Sequence, residues 1–216
     1  MREKIKPMAS RSYGQFCGLA RALDTVGDRW SLLIVRELLL GPMRYGELVA
    51  SLGRVATNLL ADRLRGLESS GVIERRLGQS GGVVYALTPW GNELRGAIEA
   101  LIRWSAPLMA SGPGGDAFEP RWLALALEAL LRGRTAKPPA EIGIEVPGLF
   151  MSLRIDKEGP HVTVQPDARP DTILRAGPDV VLGLAAGMLP IDQALSQASV
   201  DGDLRILTAV LSPPQT

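Results

Sequence analysis

From Ala56 onward the chain carries an order of signals that few folds satisfy. A helical pattern from Ala56 to Ser69 stops at Gly71, a residue suited to the left-handed turn that ends a helix. Val72 to Arg76 then reads as a strand, Leu77 to Gly82 as a flexible turn, and Val83 to Leu87 as the returning strand. Thr88-Pro89 opens another helix, with Thr88 as N-cap and Pro89 at the first position. Leu94, Ile98, Leu101, Ile102 and Leu108 carry that helix to about Met109.

Three shorter helical patterns precede this block. They run over Gly18 to Thr25, Trp30 to Leu40 and Tyr45 to Leu52, and Gly41-Pro42 and Gly53 end the last two. On a helical wheel of the fourth pattern, Leu60, Leu64 and Leu67 form one buried stripe. Asn58, Ala61, Asp62 and Arg65 fall opposite, and Thr57 stands at the start, placed to cap the helix or meet a phosphate. Asn and Arg suit bidentate contacts with adenine and guanine edges, and the small Ala61 permits close approach. Helices, a reading helix, a hairpin and a closing helix make up the winged variant of the helix-turn-helix. The fourth helix is expected in the major groove, with Arg75, Arg76, Gln79 and Ser80 of the hairpin near phosphates or the minor groove.

Charge divides the chain the same way. Up to Gly112 there are 15 Lys and Arg against 10 Asp and Glu, a net of +5; beyond it there are 9 against 13, a net of −4. The basic half is the candidate for a polyanion partner. Ser111-Gly112-Pro113-Gly114-Gly115-Asp116 lies at the split and reads as a linker. The expected domains are therefore 1–111 and 117–216.

The single Cys17 excludes an intramolecular disulfide framework, and the single His161 argues against a His-based metal site or catalytic triad. There is no Gly-rich phosphate loop between strand and helix, no metal-ligand cluster in sequence and no nucleophile with a histidine partner, so an enzyme is not expected. No cofactor is expected either. The longest apolar run, Val180 to Pro190, is shorter than the roughly 20 residues a bilayer span needs. With no signal-peptide core after Met1 to Pro7, a cytoplasmic location is expected.

Several segments of the first half occur in a familiar order. They are Cys17-Gly18, Val26-Gly27-Asp28-Arg29-Trp30, Arg44-Tyr45-Gly46-Glu47-Leu48, Asn58 to Leu64, Leu67-Glu68, Gly71 to Arg75 and Tyr85 to Thr88. As a set they resemble the HxlR-type winged-helix regulators of bacteria. The resemblance implies a homodimer on a roughly palindromic DNA operator, held together by the first and last helices, here Phe16 to Leu23 and Leu94 to Leu108. It adds Arg44 to the expected DNA contacts. In some members a cysteine at the position of Cys17 senses redox state. Arg21, one turn on, is placed to lower the pKa of that thiol. Two features depart from the pattern: a short Gly-rich Gln79 to Gly82 replaces a proline-containing wing, and Gly18 follows Cys17 where proline is common.

The second half begins with a helix, Glu119 to Leu131, that places Trp122, Leu123, Ala126, Leu127 and Leu130 on one side. Strands are expected over Glu141 to Val146, Leu149 to Ile155, His161 to Gln165 and Asp171 to Arg175, with Asp156 and Glu158 as turn residues before Gly159-Pro160. Helices follow over Val180 to Ala186 and Asp192 to Ala198, and after Val200-Asp201-Gly202-Asp203 comes a further segment, Leu204 to Leu211. This half resembles a sterol-carrier-protein-like domain, which implies a smaller α+β layer enclosing an apolar cavity. Phe150, Leu153, Ile173, Leu182, Met188 and Leu195 are the expected lining. The leading expectation is a DNA-binding transcriptional regulator modulated by a hydrophobic small molecule. The alternative is a carrier of hydrophobic molecules that uses its winged helix for protein contacts.

Overall fold

A computed structural model describes residues 12–79, 81–109, 112 and 114–211. The chain divides into two compact units, Met1–Ile98 and Glu99–Thr216. The division falls before the Gly-rich linker, and the second unit is the larger rather than the smaller. The reason lies in ties between the residues after Glu99 and the segment beyond the linker. Arg103 Nη1 donates to the Ala129 carbonyl at 3.3 Å, and Arg132 pairs with Glu99 at 3.2 Å.

The first unit opens with α1 (Gly18–Val26), α2 (Ser31–Leu39), α3 (Tyr45–Leu52) and α4 (Thr57–Ser69). The hairpin β1 (Ile73–Leu77) and β2 (Val83–Leu87) is antiparallel, with Arg75 opposite Tyr85 and Leu77 opposite Val83. Helix α4 ends in a Schellman turn: Gly71, at φ 78°, donates to Glu68 and Val72 donates to Leu67. That turn sends the chain straight into β1. Met43 exchanges both backbone hydrogen bonds with Tyr85, adding a short third edge to the hairpin.

Thr88 caps the next helix as expected, its hydroxyl accepting from Gly91 N at 3.0 Å. The long helix expected to Met109 is broken, however. It consists of α5 (Pro89–Asn92), α6 (Arg95–Ser105) and a 3-10 turn, Ala106–Met109. Glu93 and Leu94 donate to carbonyls three residues back, so the backbone tightens there. The core of this unit is Ile34, Val35, Leu38, Leu48, Leu60, Leu64, Leu67, Ile73 and their neighbours, all buried.

The second unit holds a five-stranded sheet in the order β5-β4-β3-β6-β7. Its strands are β3 (Ala140–Val146), β4 (Leu149–Ile155), β5 (Pro160–Val164), β6 (Ile173–Arg175) and β7 (Ser199–Asp201). Only the β3–β6 pair is parallel. The helices are α7 (Trp122–Leu130), α8 (Pro178–Ala185), α9 (Ile191–Leu195) and α10 (Leu204–Leu211). The strand period of two puts Ile142, Ile144, Met151, Leu153, Ile155 and Leu174 on one face. There they pack with Leu127 of α7, Val181 of α8 and Leu207 of α10. Helix α7 buries Ala124, Leu125 and Ala129 as well as Leu123 and Leu127, so its burial is not confined to the expected stripe. It is apolar nearly all round, and a single wheel stripe cannot describe such a helix.

Candidate nucleic-acid interface

Helices α3 and α4 meet through a turn whose shape follows from two residues. Gly53 adopts φ 64°, and Val55 is buried as an anchor. Tyr45 Oη donates to the Thr57 carbonyl at 2.7 Å and ties the first turn of α4 to α3. Leu60, Leu64 and Leu67 are buried, which fixes the roll of α4 about its axis. Asn58, Asp62 and Arg65 are exposed in consequence, and Ala61 is half-buried. Thr57 is exposed but caps nothing: the N-cap is Ala56, in extended conformation and without a side-chain cap. The helix begins at Thr57 itself, one residue earlier than a Thr57 cap requires.

The polar groups on and around α4 are largely engaged with one another. Arg65 and Asp62 form an ion pair one turn apart on the exposed face. Asn58 Oδ1 accepts from Leu59 N at 2.9 Å. Arg75 of β1 reaches back to Glu68 of α4, Nε to Oε1, at 2.8 Å, and that carboxylate raises the Arg75 pKa. Arg63 pairs with Asp28 at 2.8 Å, tying α4 to the loop before α2.

The turn of the hairpin is built from glycines. Gly78 N donates to the Gly82 carbonyl at 2.9 Å, and Gly81 and Gly82 take φ of 76° and 79°. Arg44, just before α3, sends Nη2 to the Gly81 carbonyl at 2.6 Å. Its guanidinium thus holds the wing. Gln79 is exposed, and Ser80 lies outside the described residues. Leu77 at the strand end is 82% exposed.

Arg76 is exposed, and so is Arg54 in the α3–α4 turn, which the sequence reading missed. Among the described residues neither has an ion-pair partner. Arg54 lies between the turn glycine and the Val55 anchor, a position legible only once the turn is recognised.

These features are those of a winged helix-turn-helix, and comparison with known proteins places it. Residues 25–111 match the HxlR-like helix-turn-helix family. An uncharacterized HTH-type transcriptional regulator of Mycobacterium tuberculosis is 35% identical over 119 residues, 54% of this chain and 67% of its own length. The chain belongs to the HxlR-like helix-turn-helix family. A second relative, the HTH-type transcriptional regulator YodB of Bacillus subtilis, is 30% identical over 86 residues, 39% of this chain and 77% of its own. The crystal structure of quinone-bound YodB is 29% identical, covers 41% of this chain and 96% of its own, and superposes with a TM-score of 0.37. The chain is accordingly a DNA-binding transcriptional regulator, and its relatives are regulators rather than enzymes.

Cys17 of this HxlR-like chain is the exposed N-cap of α1. Its thiol pKa is lowered, and the cause is the backbone N–H of Ala20 first and of Leu19 second. Arg21, expected to do this, is engaged elsewhere: Nη1 lies 3.3 Å from Ser12 Oγ and 3.4 Å from Asp24.

The six residues expected to line a cavity in the second unit are not gathered in one place. Leu153 is buried under the helices, with Leu182 and Leu195 packed against the same cluster. Phe150 and Ile173 lie on the opposite sheet face, where both contact the position a Gly143 side chain would occupy. Arg169 stacks on the Phe150 ring at 4.3 Å. Met188 is exposed. His161, partnerless by sequence, lies 3.5 Å from Asp156, and with Glu158 the three offer ligand atoms within 4.8 Å of one another. Asp156 already accepts from Glu158 N at 2.8 Å and faces Arg154 at 3.5 Å, as befits an ordinary turn. No described helix is long and apolar enough to cross a membrane.

Proposed function

We propose that this protein binds a roughly palindromic operator as a homodimer in the cytoplasm, with α4 in the major groove and the hairpin beside it. The observation that carries this reading is the roll of α4. Its apolar stripe is buried, and its polar face, Asn58, Asp62 and Arg65, is turned outward with Ala61 beside it. The homodimer draws support from two exposed apolar faces. Phe16, Leu19 and Leu23 recur at helical spacing around α1, and Leu101, Trp104 and Leu108 do so around α6 and the turn after it. Trp104 is 75% exposed, an unusual state for so large a ring in a monomer. Affinity for duplex DNA is expected to fall steeply with salt as arginines displace counterions. Salt-independent or absent DNA affinity sinks the reading.

We further propose that residues 117–216, within the second unit, form a sterol-carrier-like domain that holds a hydrophobic effector between sheet and helices. Helices on one sheet face, and Leu182 and Leu195 only half-buried against the core there, support this. An effector acts by preferring one spacing of the two reading helices, typically worth about 1–3 kcal/mol of operator affinity. Native mass spectrometry tests both parts together: the expected result is a dimer carrying releasable mass. A clean monomer refutes the dimer, and a dimer without added mass after mild extraction and reloading refutes the effector.

Cys17 is proposed as a redox-responsive thiol, because it is exposed and its thiolate is favoured by the N-terminus of α1. Operator affinity unchanged by mild oxidant in the wild type overturns this role.

A further inference from the structure

The acid on the reading face calls for explanation. Asp62 and Arg65 lie on the side of α4 that faces away from the core, their side chains 58% and 70% exposed. A carboxylate there repels DNA phosphates. An exposed ion pair of this spacing adds little to helix stability, so stability does not account for it. Three other arginines around α4 are bound to the fold: Arg63 to Asp28, Arg75 to Glu68, and Arg44 to the wing carbonyl. Arg65 alone among these four is paired with an acid of its own helix on the open face. One edge of its guanidinium is therefore engaged by Asp62 while the rest of its fork stays open.

We propose that Arg65 reads a guanine in each half-site and that Asp62 is its positioning residue. Asp62 Oδ1 accepts from Arg65 Nη2. The remaining N–H groups of the guanidinium are left to donate to the N7 and O6 acceptors of guanine, the pairing its planar fork matches. Fixing a long side chain before binding reduces the ordering that binding must supply. The same carboxylate disfavours phosphate contacts away from the operator, so it widens the ratio of specific to non-specific affinity by acting on both. This inference rests on the DNA-reading role of α4.

The test selects binding sites from a random-sequence duplex pool with the full-length wild type, Asp62→Ala, Asp62→Asn and Arg65→Ala. Affinities are then measured for the wild-type site and for a scrambled duplex. The wild type is expected to enrich a guanine in each half-site that Arg65→Ala no longer enriches. Asp62→Ala should relax the same position, lowering guanine preference about three- to tenfold, a fraction of what a bidentate pair confers. Its affinity for scrambled DNA should rise. Asp62→Asn keeps an acceptor without the charge: it should retain most of the preference while also binding scrambled DNA more tightly. Undiminished guanine preference in Asp62→Ala overturns the proposal. Relaxation at a cytosine instead also overturns it, since Asp62 then reads a base directly. If the wild type enriches no sequence, α4 is not the reader and the failure belongs to that earlier reading.

Discussion

Leu64 and Arg65 are adjacent on α4 and should fail in opposite ways. Leu64 is 1% exposed and lies within the apolar stripe that seats the helix. Truncation to Ala removes three carbons, about 2.4 kcal/mol of transfer free energy at about 0.8 kcal/mol per group. The cavity left behind raises the expected loss to about 3–5 kcal/mol. Arg65 is mostly exposed, and its pair with Asp62 is a surface pair, so Arg65→Ala should change stability by no more than about 0.5 kcal/mol. Its expected loss is in operator affinity, about 1–3 kcal/mol if a base contact is removed. Urea unfolding of each variant, with fluorescence anisotropy on a labelled operator at fixed salt, separates the two. Equal destabilisation by both substitutions refutes the roll assigned to α4, and so does unchanged operator affinity in Arg65→Ala.

Other expectations follow from single contacts. Gly91→Ala would put a Cβ 1.9 Å from the Val72 carbonyl, so α5 must shift, and thermal unfolding should show a loss of about 2 kcal/mol or more. Arg44→Met keeps the apolar stem but releases the Gly81 carbonyl; amide exchange at Gly81 and Gly82 should quicken while the helical signal is retained. Asp24 accepts from Tyr13 N and Ser12, and its pKa is lowered, with the Tyr13 N–H the main cause. A carboxyl whose folded pKa is depressed stabilises above its unfolded value, about 3.9, and the contribution disappears as pH falls through the lower folded value. The stability difference between wild type and Asp24→Asn should therefore be present at neutral pH and vanish in acid unfolding series below about pH 4. Alkylation of Cys17 by iodoacetamide should reach half its maximal rate below the ordinary thiol pKa of about 8.5; a midpoint at or above that value contradicts the influence of the α1 N-terminus.

Much of the first unit was legible because its signals are local. Gly71 stops α4 where left-handed geometry is needed, Thr88-Pro89 starts α5, and the spacing of Leu60, Leu64 and Leu67 orients the reading face. In the second unit Leu149–Ile155 was bounded by sequence alone, since alternation and flanking turns suffice there. The break at Glu93 and Leu94 was not legible, because apolar spacing continues through a tightened turn.

What the chain's order determined by itself is the type of most elements and, for those with a single apolar stripe, which side is apolar, since both depend on neighbours within a turn or two. Tertiary structure alone decided the pairings over long separations. It gave Arg75 to Glu68, Arg44 to the Gly81 carbonyl and Arg103 to the Ala129 carbonyl, so arginines identical in sequence terms became tethers. A hydrogen bond between distant residues requires the chain to be folded first, and no local pattern contains that information.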